Sequence, residues 1–377
     1  MQKGAVPVEG ARFLDYHDGS LLYMRKIDER ESAMQSTDGP CVAHRADYHA
    51  TLHEEATRLG CEIQLGCEVQ DVNFDQASVI LNDGSVIAGD VVVAADGLWS
   101  TLRDKILGQL SPPLPTGDLA YRMTLPADAL STIADQNVQE LLRPNLSTVW
   151  LGPDRHCVLY PIRNRSQWNL VLIPDNLPDN VRTQAATMEE MKQCFEGWDP
   201  RLQKLMATGD AVMSWKLLHC EELKTWSKGR CVLIGDACHP SLPYQAQGAA
   251  MALEDGITLG TLLGSLNESQ HPAVCGADRR AQCILELLLV FESVRKPRTS
   301  LNQKGSQSNQ YWYQASTPED MERRNKVFRS ADGWGKCEWK GADFEYQREL
   351  LGYDARKHAL ETYEGWEKQA RAVDCNL

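Results

Sequence analysis

Asp236 closes a short apolar run, 231–234, and is followed by a turn and then by Gly248-Ala249-Ala250. A buried strand that stops at Gly235-Asp236 and hands over to a helix of small residues sets a carboxylate beside free backbone N–H groups. The carboxylate can accept hydrogen bonds from ligand hydroxyls. The helix start attracts anionic oxygen, and the small residues let a flat or phosphorylated ligand approach the backbone. A tight strand–helix junction that needs Gly only for packing is the competing explanation. His156 and Tyr160 lie four residues apart in a strand-like run, so both side chains project from one face. A neutral His can accept a hydroxyl proton and a Tyr can relay or orient it. A His and a Tyr that merely pack on a sheet show the same pattern. Arg122, beside Tyr121, offers a guanidinium for bidentate contact with a carboxylate or phenolate. In Asp96-Gly97-Leu98-Trp99-Ser100-Thr101-Leu102-Arg103, Gly97 allows a turn, while Ser100 and Arg103 can hold the loop or a pyrophosphate.

These groups need elements to carry them. The runs 90–97 and 231–234 read as buried parallel-type strands. Residues 11–16 and 21–23, with His17-Asp-Gly-Ser between, read as a hairpin. Short strands are expected at 61–65, 68–74, 78–82 and 85–87, with Asn82-Asp-Gly84 as a hairpin turn. A helix starts near Asp47, which can cap it; Arg45 is then a surface residue free to pair with Asp47. Pro112, Pro113 and Pro115 change the texture. Strands follow at 119–125, 148–151, 156–161 and 168–173, with helical stretches at 128–142 and 188–207. After 247 come a helix through 253–266, a polar break at 267–277, a helix at 281–294 ending in the basic Arg295-Lys-Pro-Arg-Thr, a polar and aromatic helix at 303–313, and a charged tail clamped by Trp334, Trp339 and Trp366. The basic cluster reads as a helix end complementing the macrodipole.

The net charge of -13 over 377 residues argues against a nucleic-acid partner, which would call for a basic face. The longest apolar run, 284–291, contains Glu286 and is too short to span a bilayer. The twelve Cys form no CxxC pair, and His44 and His49 have no partner at metal-ligand spacing. No metal site is expected, and free thiols in a cytoplasmic protein are.

The long stretch GDACHPSLPYQAQGAAMALEDG closely resembles the second flavin motif of class A FAD-dependent aromatic monooxygenases, in particular the salicylate-hydroxylase-like branch of fungal type. The resemblance extends to His44-Arg-Ala-Asp-Tyr-His, Asp96-Gly97…Ser100…Arg103, Tyr121-Arg122, His156…Tyr160-Pro161, Arg295-Lys-Pro-Arg-Thr and Gly352-Tyr-Asp354. It covers nearly the whole chain, from 11 to about 355. It implies that Arg45, Asp96, Gly97, Arg103, Gly235, Asp236, Gly248 and Ala249 serve FAD. It also implies that Tyr121, His239, Pro243 and Tyr244 line the substrate pocket, with Arg122, His156 and Tyr160 catalytic. NAD(P)H would be the cosubstrate, and O2 and a small aromatic or phenolic ring the other partners, in a secondary-metabolite setting. His156 or Tyr160 would help deprotonate a phenol.

The family opens with a GxGxxG unit that binds the FAD pyrophosphate, and this sequence contains none. The expected fold is therefore α/β with an α+β substrate domain: an N-terminally truncated Rossmann-like FAD domain, an inserted antiparallel-sheet substrate domain and a helical C-terminus. The expected segments are 1–110 (FAD domain, first part, lacking the first βαβ), 111–217 (substrate domain), 218–316 (FAD domain, second part) and 317–377 (helical tail). The alternatives are a truncated or degenerate paralogue without flavin, either inactive or binding an aromatic ligand.

Overall fold

The structure is a computed structural model, and it describes residues 4–27, 40–173, 183–209, 212–269 and 277–374. The chain divides into two compact units: 1–63, 115–217 and 308–352 form the first, and 64–114, 218–307 and 353–377 the second.

The first unit is built on an eight-stranded sheet. Its strand order is Thr183–Ala186, Val212–His219, Leu114–Pro126, Gln167–Ile173, His156–Ile162, Leu146–Leu151, Gly10–Asp15 and Leu21–Lys26. The expected hairpin near the N-terminus forms, with a register shift at Phe13/Leu14. It joins this sheet, because Gly10–Asp15 pairs in parallel with Leu146–Leu151. Segments from both ends of the linear plan thus cluster with 115–217, so the compact units interleave differently from a cut at 110. One sheet face is a continuous apolar layer of Leu119, Tyr121, Met123, Leu125, Trp150, Leu159 and Leu170, packed with residues of the short helices Gln136–Leu142, Met188–Cys194 and Pro200–Met206. The expected stretch 188–207 is two helices because Asp199 caps a new start at Pro200.

The second unit has a three-stranded sheet in which Cys231–Leu233 pairs in parallel with Val92–Ala94 and antiparallel with Ser227–Lys228. A meander of Val69–Asn73, Ser78–Leu81 and Val86–Ala88 lies in the same unit. The expected strand at 61–65 is exposed coil, because none of the described strands pairs with it. Helix Gly248–Glu268 and the first part of helix Ala277–Tyr313 pack on the parallel strands through Leu259, Leu262, Leu287 and Phe291.

The long helix corrects another expectation. It does not end at Arg295-Lys296-Pro297 but runs through Pro297. A helix-interior proline removes one ladder hydrogen bond. Here the flanking Arg295 and Arg298 are buried in ion pairs with Glu254 and Asp255, which hold this turn against its neighbour. The basic cluster is therefore a buried clamp and not a helix terminus. Most of the expected polar break lies at 270–276, outside the described residues. Trp339 is buried and stacks on Phe328 at 3.9 Å, and Trp366 packs on the second core, while Trp334 is exposed. No described helix is long and apolar enough to cross a membrane.

Candidate functional site

In the second unit the strand Cys231–Leu233 is wholly buried, and its chain leaves the sheet at Gly235 with φ +60°. That backbone state suits Gly, and a Cβ there would meet Ala252 Cβ at 3.2 Å. Asp236 follows, exposed, and its carboxylate accepts no hydrogen bond from the described residues. Pro243 is exposed in a short 3-10 turn, and Ala246 is left-handed at φ +54°. Helix Gly248–Glu268 then begins without a side-chain cap and without an acidic residue in its first turn. Its opening N–H groups are therefore available to a ligand oxygen, and Ala249 is exposed beside them. Gly248 is close to its neighbours: a Cβ would lie 3.2 Å from Ser241 Oγ. An outward carboxylate for hydroxyls, an uncapped helix start for electron-rich oxygen and small residues between them fit a flavin with its polyol chain.

Two residues expected in the substrate pocket point inward instead. Tyr244 is buried. His239 is buried as well, with Nε2 2.6 Å from Asp255 Oδ2 and its ring 5.2 Å from that of Trp226. His239 is a strut beneath the turn, because the 235–247 loop folds its middle back against helix Gly248–Glu268. Cys238, His239 and Asp255 bring potential metal-ligand atoms within 4.8 Å of one another. Asp255 already accepts from Gly235 N and Arg295 Nε, both at 2.8 Å. The guanidinium beside it opposes a cation; His239 and Asp255 pair with each other, while Cys238 Sγ donates to the Gly235 carbonyl at 3.4 Å.

The motif at Asp96 acts locally. Asp96 Oδ2 accepts from Thr101 N at 3.0 Å and Leu102 N at 3.1 Å, and Ser100 Oγ accepts from Arg103 N at 2.9 Å. Both cap helix Thr101–Leu107 after the turn at Gly97, φ +77°. Arg103 is 1% exposed and donates to the carbonyls of Leu98, Ser111 and Ala237. Its role there is to tie this turn to the Gly235–Ala237 turn.

In the first unit, neighbouring residues on a strand face opposite ways. Tyr121 therefore lies in the apolar core, while Arg122 lies on the other face; the two are not brought together. Arg122 shares its face with Tyr160. Asn169, directly across from Tyr160 in register, donates its Nδ2 to Tyr160 Oη at 2.8 Å. Burial pushes the Tyr160 phenol up, against the pull of the Arg122 charge and the Asn169 bond. Arg122 stacks over Trp215 at 5.4 Å, and its buried Nε has no hydrogen-bond partner. Burial lowers its pKa; nearby Tyr160 acts in the opposite sense, and the like charge of Arg45 adds to the lowering. A partly buried guanidinium with no ion-paired carboxylate among the described residues, next to a tyrosine whose oxygen is already an acceptor, can take an anionic oxygen and donate to a second one.

Arg45 is exposed and has no bond to Asp47, which is held instead by Arg163 at 2.8 and 2.9 Å. His156 is on the same sheet face as Tyr160 but is 1% exposed, its ring 5.3 Å from that of Tyr313. Burial pushes its pKa down to about 3. Burial keeps the imidazole neutral and, at 1% exposure, leaves it little reach to a substrate hydroxyl. Asn169 and Asp255 were not singled out in the sequence. The signal for Asn169 was one polar residue in the alternation of Gln167–Ile173; that for Asp255 was its place in the Glu254-Asp255-Gly256 close of the flavin-like stretch.

A family model for an FAD binding domain matches residues 7–272. An FAD-dependent monooxygenase of Beauveria bassiana is 37% identical over 301 residues, 78% of this chain and 67% of that protein. A 3-hydroxybenzoate 6-hydroxylase of Aquipseudomonas alcaligenes is 36% identical over 269 residues, 68% of this chain and 66% of that one. The chain thus spans about two thirds of the length of these relatives. Among solved structures, a salicylate hydroxylase substrate complex superposes with a TM-score of 0.75 at 25% identity, covering 96% of this chain and 84% of that one.

Proposed function

The chain belongs to the FAD-binding family of class A flavoprotein aromatic monooxygenases, and from that premise we propose that it hydroxylates a small phenolic or aromatic-acid substrate with FAD, NAD(P)H and O2. The observation that carries the substrate class is the sheet face of Arg122, Tyr160 and Asn169. Bound flavin supplies the redox and oxygen-transfer chemistry. The residues of this chain bind and orient. Asp236 and the start of helix Gly248–Glu268 hold the cofactor, and Arg45 is assigned to it as well. Arg122 neutralises a substrate carboxylate or phenolate. Tyr160, kept by Asn169 as an acceptor on one side, turns its hydroxyl proton toward the substrate oxygen. Pro243 serves the substrate side of the turn; His239 and Tyr244 support it from within. An aromatic ring with an ionised oxygen is the better nucleophile, and a guanidinium stabilises that ionised form without accepting a proton itself.

The free cysteines and the negative net charge support a reducing, cytoplasmic setting without a nucleic-acid partner. Oxygen uptake and NAD(P)H oxidation in the presence of FAD and a panel of hydroxybenzoates and neutral phenols test the reading. Substrate-stimulated oxidation with a hydroxylated product is expected. Flavin-free binding of aromatic ligands without turnover would make the protein a binding protein instead.

A further inference from the structure

The turn that presents Asp236 is held by side chains of helix Gly248–Glu268 and of helix Ala277–Tyr313. Asp255, in helix Gly248–Glu268, is 0% exposed. Its Oδ2 accepts from the Gly235 N–H at 2.8 Å and faces His239 Nε2 at 2.6 Å; its Oδ1 accepts from Arg295 Nε at 2.8 Å. Arg295 is equally buried and donates to Glu254 Oε2 at 2.7 Å and to the Met251 carbonyl at 3.1 Å. Arg298 forms two bonds to Glu254, at 2.6 and 2.7 Å, and carries the Tyr353 ring 4.1 Å from its guanidinium. Two carboxylates and two guanidiniums thus balance in the interior. The far side of the turn is tied too: Gln303 Nε2 donates to the Pro240 carbonyl at 3.0 Å and Ser306 Oγ to the Leu242 carbonyl at 2.6 Å.

Such an arrangement is costly to bury unless every member is paired, and here Asp255 and Arg295 are. An apolar core would fill the same space, but it could not fix one N–H and one imidazole at defined points. The bond to Gly235 N lies one residue before Asp236. The bond to His239 lies three residues after it. We propose that Asp255 is a positioning residue: it pins both flanks of Asp236, and so sets the direction of the carboxylate that holds the cofactor. This rests on the flavin reading of Asp236, but the pinning itself does not need flavin.

The test uses the full chain with Asp255→Asn, His239→Ala and His239→Gln. Hydrogen exchange at the amides of 235–242 is read without FAD, and FAD affinity is read separately by titration. In Asp255→Asn, exchange across 235–242 rises tenfold or more while the amides of 92–94 and 259–266 keep their protection, and FAD binds at least tenfold more weakly. His239→Ala loosens the same segment. His239→Gln, whose amide can donate where Nε2 stood, restores most of the protection. A role confined to global stability would instead raise exchange throughout the unit and give no rescue by Gln. Unchanged exchange at 235–242 in both Asp255→Asn and His239→Ala overturns the inference. If Asp255→Asn does not fold, the His239 pair decides alone. If the wild-type chain takes up no FAD, the functional reading fails, while the exchange data still judge Asp255.

Discussion

Arg122→Met removes the guanidinium proposed to take a substrate anion. In the folded protein this guanidinium is partly buried, its Nε has no hydrogen-bond partner among the described residues, and it lies over the Trp215 ring at 5.4 Å. A cation–π contact of this kind contributes about 0.5–2 kcal/mol. Against that stands the desolvation of an unpaired charge, which methionine relieves while keeping much of the volume. The two effects offset, so the melting temperature of the variant should stay near that of the parent. Ligand binding should not. A hydrogen bond to a charged partner contributes about 1.5–3 kcal/mol. At about 1.4 kcal/mol per factor of ten, affinity for an aromatic carboxylate falls roughly 10- to 150-fold. The assay is calorimetric titration of parent and variant with 3-hydroxybenzoate and with 3-hydroxybenzyl alcohol, which lacks the carboxylate. The acid should lose affinity and the alcohol should not. Equal loss for both, or no loss for the acid, would refute the assignment. A large fall in melting temperature would show that the guanidinium supports the fold and is not reserved for a ligand.

Tyr160→Phe should slow coupled hydroxylation at least tenfold, or divert NAD(P)H oxidation to peroxide, with FAD retained; unchanged coupled turnover returns Tyr160 to sheet packing. Asn169→Leu should reproduce part of that defect without weakening binding of the neutral alcohol, read as a fall in kcat at constant KM. Trp150 Nε1 donates to the buried Asp199, which also pairs with Arg201 and caps helix Pro200–Met206; Asp199→Ala should cost about 3–5 kcal/mol by chemical denaturation, the usual loss when one partner of a buried pair is removed. His156 carries a pH signature. Its pKa falls from an ordinary value near 6.5 to about 3 on folding, through burial. The unfolded chain therefore takes up a proton below pH 6.5 that the folded chain refuses until about pH 3. Stability is complete above pH 6.5 and is lost as pH falls through this window, at about 1.4 kcal/mol per unit. Going from pH 7 to pH 5, the parent should lose about 2 kcal/mol more than His156→Phe; parallel losses would mean that the imidazole is solvated.

The strands that carry Arg122, His156 and Tyr160 were legible because their polar and apolar residues alternate over a sheet with one apolar face. The buried run at Cys231 and its glycine exit were equally plain. What the pattern could not show was pairing at long range. Gly10–Asp15 reads as a hairpin arm, yet its parallel partner lies more than a hundred residues on. Nor could spacing alone tell a surface cation from a buried one. Arg295-Lys296-Pro297 has the composition of a helix end, and it becomes a helix interior only because Glu254 and Asp255 neutralise it from another helix. His239 failed for the same reason: its partner Asp255 decides that it points inward. Tyr121 and Arg122 are neighbours on a strand, so their side chains take opposite faces.

The central claim is that this chain holds flavin through Asp236 and the helix start at Gly248. The most direct measurement is the visible absorption spectrum of the purified chain after incubation with FAD and removal of free cofactor, beside that of Asp236→Ala. The account predicts a stoichiometric flavin spectrum for the parent and its loss from a variant that remains folded by circular dichroism. A folded parent that stays colourless, or a variant that keeps its flavin, would contradict it.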